Sequence, residues 1–351
     1  MTTKSLRQQA RIQKEGVKMS DSSEKKLNNL EVLRLVEQNT PASLDEILSK
    51  RLTQKRKKLS SALAYDEEGS NRFDKLCSTP EYYLYKTEEK LLKMFSSNVI
   101  RHKNFKNIID LGCGTMEKSF SFIYELSKND TYIDVFACDI DEYISVNSCH
   151  RLSKFFSDKV NFIPVIGDFN ECIYSLQYKT ESKLISFLGS TLGNLDKSEQ
   201  DAMFLALSES MNREDNFLVG VDLVKNKDIL EDAYRDSEGL VTANIINMIK
   251  NLNKWYGSNF NPDEFEHIVR FESDRSSVIS YLRARRAISE FIPGLGIILN
   301  LEEGELIEAE IREKFSLSQF ILELDRFNLF PIEISVDPDW HMALILVKLK
   351  K

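Results

Sequence analysis

The chain has 351 residues, enough for one large domain or two modest ones with well-buried cores. Its 42% hydrophobic and 29% charged residues are the balance of a globular protein, and a net charge of −8 excludes a general nucleic-acid binder, which needs surplus Lys and Arg. No apolar run reaches ~18 residues, so no membrane span is predicted, and the N-terminus lacks the apolar core of a secretory signal.

Residues 1–26 are polar and rich in Lys, Arg, Gln and Ser, which predicts a disordered tail. From Leu27, apolar residues return at helical spacing (Leu30, Val32, Leu33, Leu35, Val36), break at Thr40-Pro41 and resume at Leu44, Ile47 and Leu48. The basic run Lys50–Lys58 reads as a solvated helix face in an acidic protein. Five cysteines (Cys77, Cys113, Cys138, Cys149, Cys172) fall singly and read as small buried hydrophobes in a reducing, cytoplasmic setting. The four histidines are scattered, so no metal site is expected.

The middle of the chain alternates strand and helix. Strands are predicted at Asn107–Leu111, Ile133–Cys138, Val160–Val165, Lys183–Phe187 and Phe217–Asp222, with helices such as Lys118–Leu126 and Ser198–Met211 between them. This rhythm predicts an α/β fold with a parallel, doubly wound sheet. After Lys225 the rhythm changes: Asp228–Leu252 reads mostly as long helix, and Ser277–Ala284 and Gly296–Leu301 read as strands. A helix around Ser318–Phe327 and a strand, His341–Leu349, close the chain. There is no repeat and no Pro/Gly-rich linker, which points to a second domain inserted into the first.

The most informative stretch is Asn107-Ile-Ile-Asp-Leu-Gly-Cys-Gly-Thr115. A buried strand runs into a turn without side chains and then a helix start, the place where open α/β sheets bind ligands. Gly112 and Gly114 let a ligand approach the backbone, and the helix start supplies unpaired N–H groups. The third glycine of a dinucleotide fingerprint and the Lys-Ser/Thr of a phosphate loop are both missing. The second strand ends in Asp139, suited to both hydroxyls of a ribose, and the third in Asp168-Phe169, suited to an adenine. The constellation resembles the first motifs of class I S-adenosylmethionine (SAM) methyltransferases. A dinucleotide dehydrogenase is the competing reading.

Three further segments narrow the resemblance: Phe187-Leu-Gly-Ser-Thr-Leu-Gly-Asn194, Val221-Asp-Leu-Val-Lys225, and Thr79-Pro-Glu-Tyr-Tyr83 followed by Thr87-Glu88. Together they are similar to the histidine-specific methyltransferases of ergothioneine biosynthesis, from roughly Leu59 onward. That family transfers methyl groups from SAM to the α-nitrogen of free histidine. The resemblance implies a Rossmann-like SAM domain (87–224 plus 314–351) and a smaller, discontinuous α/β substrate-binding domain (27–86 plus 225–313). It implies Gly112, Gly114, Lys118, Asp139, Asp168 and Phe169 as cofactor contacts. Phe73, Tyr82, Gly189, Asn194 and Tyr234 are implied around the amino acid, with Tyr65 and Asn194 closest to the chemistry.

Two positions depart from the family pattern. Where histidine enzymes carry Glu-x-Ser, this chain has Glu310-Ile-Arg312, and Ser280 stands where they carry a larger apolar residue. On a strand, Arg312 would share a face with Glu310 and neutralise it. Histidine remains the leading substrate because Glu310 persists. Tryptophan or another amino acid, a peptide or protein N-terminus, and a non-catalytic SAM-binding role are the alternatives. The partner expected is a small amino acid bound by a monomer, with no nucleic acid and no membrane.

Overall fold

Alternating apolar runs and amphipathic segments give fourteen strands among the described residues of a computed structural model, which are 31–35, 44–64, 66–129, 131–156, 158–177, 181–339 and 341–350. Two short strands come first, β1 Leu33–Arg34 and β2 Lys57–Lys58. Five follow: β3 Asn107–Leu111, β4 Ile133–Asp139, β5 Val160–Ile166, β6 Lys183–Phe187 and β7 Asn216–Asp222. Next come β8 Phe265–Glu272, β9 Ser277–Ala284, β10 Ile288–Ile292, β11 Ile297–Leu301 and β12 Leu306–Glu313. The last pair is β13 Leu329–Val336 and β14 Met342–Leu349.

The main sheet has the order β1-β5-β4-β3-β6-β7-β14-β13. Pairing is parallel from β1 to β7, and β14 lies antiparallel to both β7 and β13. Strands β3, β6 and β7 are buried along their whole length, as continuous apolar runs covered by helices on both faces require. One face packs helices Tyr83–Asn98, Glu117–Ser127 and Glu142–Leu152; the other packs Phe169–Ser175, Lys197–Ser210 and Leu317–Arg326. The strand order reverses at β3, which neighbours β4 on one side and β6 on the other. A crevice therefore opens between the carboxyl ends of β3 and β6.

A four-stranded sheet, β2-β12-β9-β8, carries the helix Leu240–Tyr256 on its face. Ile245, Met248 and Leu252 from that helix join Leu282 and Ile307 of the sheet in the same apolar cluster as Leu91, Phe122 and Leu344. β10 and β11 form a separate antiparallel hairpin.

Three expectations are corrected. Leu33 does not continue a helix but pairs with Val165 as an edge strand. The long helix expected over Asp228–Leu252 is two helices, Lys227–Asp232 and Leu240–Tyr256. They break because Asp236 accepts from the Leu240 and Val241 N–H groups and Gly239 takes φ +70°, a new helix start. The basic run is helical only to Thr53. Beyond it, acids of the small sheet capture the cations: Arg56 pairs with Glu272 at 3.1 Å and with Glu308, and Lys57 with Glu305 at 2.5 Å. The tail 1–26 lies outside the described residues. Among the described residues no helix is long and apolar enough to cross a membrane.

Candidate active site

The loop after β3 turns on two glycines, with φ +61° at Gly112 and +48° at Gly114, where side chains are strained. A Cβ on Gly112 would lie 3.3 Å from the Phe169 ring, whereas nothing lies within 4 Å of one on Gly114. One side of the loop is thus closed by an aromatic ring and the other is open. Asp139, at the end of β4, accepts the Gly114 N–H at 3.0 Å and the Asp141 N–H at 3.0 Å. Burial pushes its carboxyl above the usual range, and those two N–H groups draw it back.

Asp168 caps the helix Phe169–Ser175, its carboxylate accepting the Glu171 N–H at 2.8 Å while Glu171 returns a bond to the Asp168 N–H. That cap fixes Phe169, whose ring packs on Phe187 with centroids 4.8 Å apart. Gly112, Gly114, Asp139, Asp168 and Phe169 therefore form one cluster at the carboxyl ends of neighbouring strands. A side-chain-free cradle, a carboxylate facing it and a flanking ring fit a sulfonium nucleoside such as SAM.

Next to the loop lies a cavity of about 470 Å³, lined by Gly112, Lys118, Gly189 and Phe73 among others. On its wall Asp110 is buried and accepts from Ser186 at 2.7 Å and from Ser119. Burial lifts its carboxyl to about 6, against the pull of the two hydroxyls. Lys118 extends to Glu88, with Nζ to carboxylate 2.6 Å. Glu88 also accepts the Gly189 N–H with both oxygens, at 2.9 and 3.0 Å. Its helix lies so close to β7 that a Cβ on Gly220 would stand 2.1 Å from the Glu88 carboxylate.

The sequence reading gave Glu88 no site role. The signal was there: Leu84, Leu91, Leu92 and Phe95 bury one stripe of the helix, and Glu88 sits on that stripe, fully buried. An acid on the apolar face of a helix needs a cation or N–H partners.

A run of rings leads away from the cavity. Phe73, which lines it, meets Tyr82 edge-on at 6.1 Å, and Tyr82 meets Tyr234 edge-on at 6.0 Å. The Arg312 guanidinium lies 4.2 Å from the centre of the Tyr234 ring. Arg312 donates to Ser280 at 3.1 Å and to Glu310, so these three side chains form one group on β9 and β12. Tyr82, Tyr234, Ser280, Glu310 and Arg312 do not line the cavity itself; Phe73 joins them to it.

Asn194 ends the turn Thr191–Asn194, which starts at the cavity with Thr191. Gly193 presses this turn on the end of β12, for a Cβ there would lie 2.6 Å from the Glu313 carbonyl oxygen. Asn194 is exposed beside that contact. Tyr65 lies outside the described residues.

Beneath Tyr234 is a buried charge network without counterpart in the sequence reading. Lys314 donates to Asp222 at 2.7 Å and to the Tyr234 hydroxyl at 3.0 Å. Lys225 donates to the same carboxylate at 2.5 Å, and Tyr83 donates to it at 2.9 Å. Burial would raise the Asp222 carboxyl, but Lys314 and Lys225 hold it below its usual range. Burial brings Lys225 down to about 8 despite Asp222. Phe315 locks the geometry by donating its N–H to the Asp222 carbonyl at 2.8 Å. The pieces come from β7, the helix Tyr83–Asn98 and three separate connections, which hides the network from any local reading.

His267 on β8 is the other unforeseen neighbour. Its two ring nitrogens face Ser280 at 3.1 Å and Thr242 at 2.9 Å. Burial, then Arg312 and Arg235, lower it to about 4, so it is neutral at physiological pH.

A histidine N-alpha-methyltransferase of Mycolicibacterium smegmatis is 28% identical over 295 residues, covering 84% of this chain and 91% of that protein. The histidine N-alpha-methyltransferase of Mycobacterium tuberculosis is 28% identical over 72% of this chain and 78% of that protein. Ergothioneine biosynthesis protein 1 of Schizosaccharomyces pombe is 25% identical over 71% of this chain and 33% of its own length. The family profile for SAM-dependent, histidine-specific methyltransferases matches residues 44–349, so the chain belongs to that family and is a SAM-dependent N-methyltransferase.

Proposed function

We propose that the protein methylates the α-amino nitrogen of free histidine, with SAM held by Gly112, Gly114, Lys118, Asp139, Asp168 and Phe169. One observation carries this reading: an unbroken series of contacts from the Gly112 cavity through Phe73, Tyr82 and Tyr234 to Glu310 and Arg312. In this reading the reacting nitrogen lies at the cavity end and the side chain points along the series toward β12. The segments 27–86 plus 225–313 act as the substrate domain in this reading, and 87–224 plus 314–351 as the cofactor domain. Five free, buried cysteines support a reducing, cytoplasmic setting.

SAM supplies an electrophilic methyl group for displacement in line with its sulfur. The chain's own work is alignment and exclusion of water. Neutral phenols and amides, Tyr82, Tyr234 and Asn194, hold the zwitterion's head without a fixed cation facing the sulfonium. Lys314 donates to the Tyr234 oxygen, so the phenol's own proton is directed outward to a carboxylate. The α-ammonium must lose a proton before it reacts, and Tyr65 is the group assigned to pass it on. Phe73 and Tyr82 form an aromatic wall that accommodates the growing ammonium through cation–π attraction.

The test is incubation with SAM and each amino acid separately, read by mass spectrometry. Stepwise methylation of histidine on the α-nitrogen supports the reading. Methylation of tryptophan, or of a peptide terminus alone, replaces it, and SAM binding without turnover of any substrate rejects catalysis.

A further inference from the structure

The group at the far end of the ring series differs from a lone carboxylate. The Arg312 guanidinium lies over the Tyr234 ring and donates to both Glu310 and Ser280. Glu310 and Arg312 have side chains only 9% and 14% exposed, so water screens their charges little. A side chain arriving here meets a guanidinium and a carboxylate side by side: a donor edge beside an acceptor edge, with little net charge.

A cationic side chain would gain Glu310 but oppose Arg312, and an anionic one the reverse. A neutral group with an acceptor and an N–H a few ångströms apart satisfies both. Resting on the histidine reading above, we propose that Arg312 makes this enzyme select histidine with a neutral imidazole. The imidazole N–H bonds to Glu310, and its bare nitrogen takes an N–H of Arg312 in place of the Ser280 hydroxyl. The imidazolium, which a lone Glu310 would favour, is rejected.

The surrounding charges support this sign. Facing the group are His267 from β8, Ser280 from β9, Glu310 and Arg312 from β12, and Lys314 just beyond its end. Thr242 faces it through His267 from the helix Leu240–Tyr256, and Tyr234, Arg235 and Tyr82 complete the surroundings. Lys314 and Lys225 share Asp222, Asp337 also attracts Lys225, and Arg235 pairs with Glu231 at 2.9 Å, so these neighbouring carboxylates already serve cations of their own. His267 stays neutral down to about 4 and Lys225 titrates near 8, which leaves the interval between them for the ligand's own imidazole.

The experiment is calorimetric titration of histidine into the full-length protein saturated with S-adenosylhomocysteine, from about pH 7.5 to about pH 5. With an imidazole pKa of ~6.5, affinity should fall about 30-fold over that range. S-adenosylhomocysteine affinity measured over the same range controls for Asp110, which titrates near 6 in the cavity. In Arg312→Ser, Glu310 is unmasked and the fall should vanish or reverse. Arg312→Lys, which keeps the charge, should retain it. Histidine affinity in the unaltered protein that stays level or rises toward pH 5 overturns the proposal while leaving the histidine reading intact. Failure of histidine to bind at any pH, with another amino acid methylated, sinks the histidine reading and this proposal with it.

Discussion

The two ends of the site are built in opposite ways. The cofactor end is largely backbone: two positive-φ glycines after β3, an N-cap at Asp168 after β5, and the Asp139 carboxylate at the end of β4 holding the Gly114 N–H, each supplied by one strand–turn–helix unit. The substrate end is side chains only. Tyr82, Asp222, Tyr234, Ser280, Arg312 and Lys314 converge from six separate elements and connections. A backbone site is defined by local sequence and tolerates little change; a side-chain site can be retuned one residue at a time. In the proposed reading, Arg312 is such a retuning.

The largest effect should fall where the two ends share a support. Glu88→Ala leaves Lys118 without its carboxylate and the Gly189 N–H without its acceptor. Breaking a buried pair this way costs about 3–5 kcal/mol, measurable by denaturant unfolding, and S-adenosylhomocysteine affinity should drop as well. Unchanged stability would mean that Glu88 supports neither end.

Next in size, Lys314→Met should separate the ends. It removes charge-assisted bonds to Asp222 and Tyr234, worth about 1.5–3 kcal/mol each. The expected result is a KM for histidine raised roughly 10–100-fold with S-adenosylhomocysteine affinity unaltered, and partial rescue by Lys314→Arg. Equal weakening of both ligands would erase the distinction between them.

The His267 imidazole gives the substrate end its own acid sensitivity. In the unfolded chain it takes up a proton near ~6.5, whereas in the fold it does so only near 4. Its contribution to stability is therefore complete above pH 6.5 and is lost as pH falls toward 4, amounting to about 2 kcal/mol at about pH 5. His267→Gln should flatten that part of the Tm–pH curve; an unchanged curve contradicts the burial argument.

The smallest effect is expected at the loop. Gly112→Ala forces a side chain to adopt φ +61° and approach Phe169, a strain of about 1–2 kcal/mol. S-adenosylhomocysteine binding should weaken roughly tenfold or more while the pH dependence of histidine binding keeps its shape.

The same contrast explains what was legible in the sequence. The strands Asn107–Leu111 and Lys183–Phe187 are observed at the residues predicted, because fully buried parallel strands are short apolar runs with turns at their ends. Gly112, Asp139 and Phe169 were readable for the same reason, each following a strand. The pairing of Arg312 with Glu310 followed from their spacing on one strand. Edge strand β1 was misread as helix because apolar spacing over a few residues does not distinguish the two. Strand β2 hid in a basic run, since Lys57–Lys58 is a strand through its pairing with β12, and Glu305 and Glu308 neutralise the two lysines. The Asp222–Lys314–Tyr234 network and His267 depend on residues 80 and 13 positions from their partners, beyond any local pattern.

The central claim is that an amino acid's α-nitrogen is presented to the Gly112 cavity while its side chain is read by Glu310 and Arg312. Fragment-resolved mass spectrometry of a reaction with SAM and histidine tests it directly, run in parallel with Glu310→Ala. The account predicts methyl groups on the α-nitrogen alone, and a loss of histidine turnover in the variant with S-adenosylhomocysteine binding retained. Methyl groups on the imidazole, or full histidine activity without the Glu310 carboxylate, would contradict it.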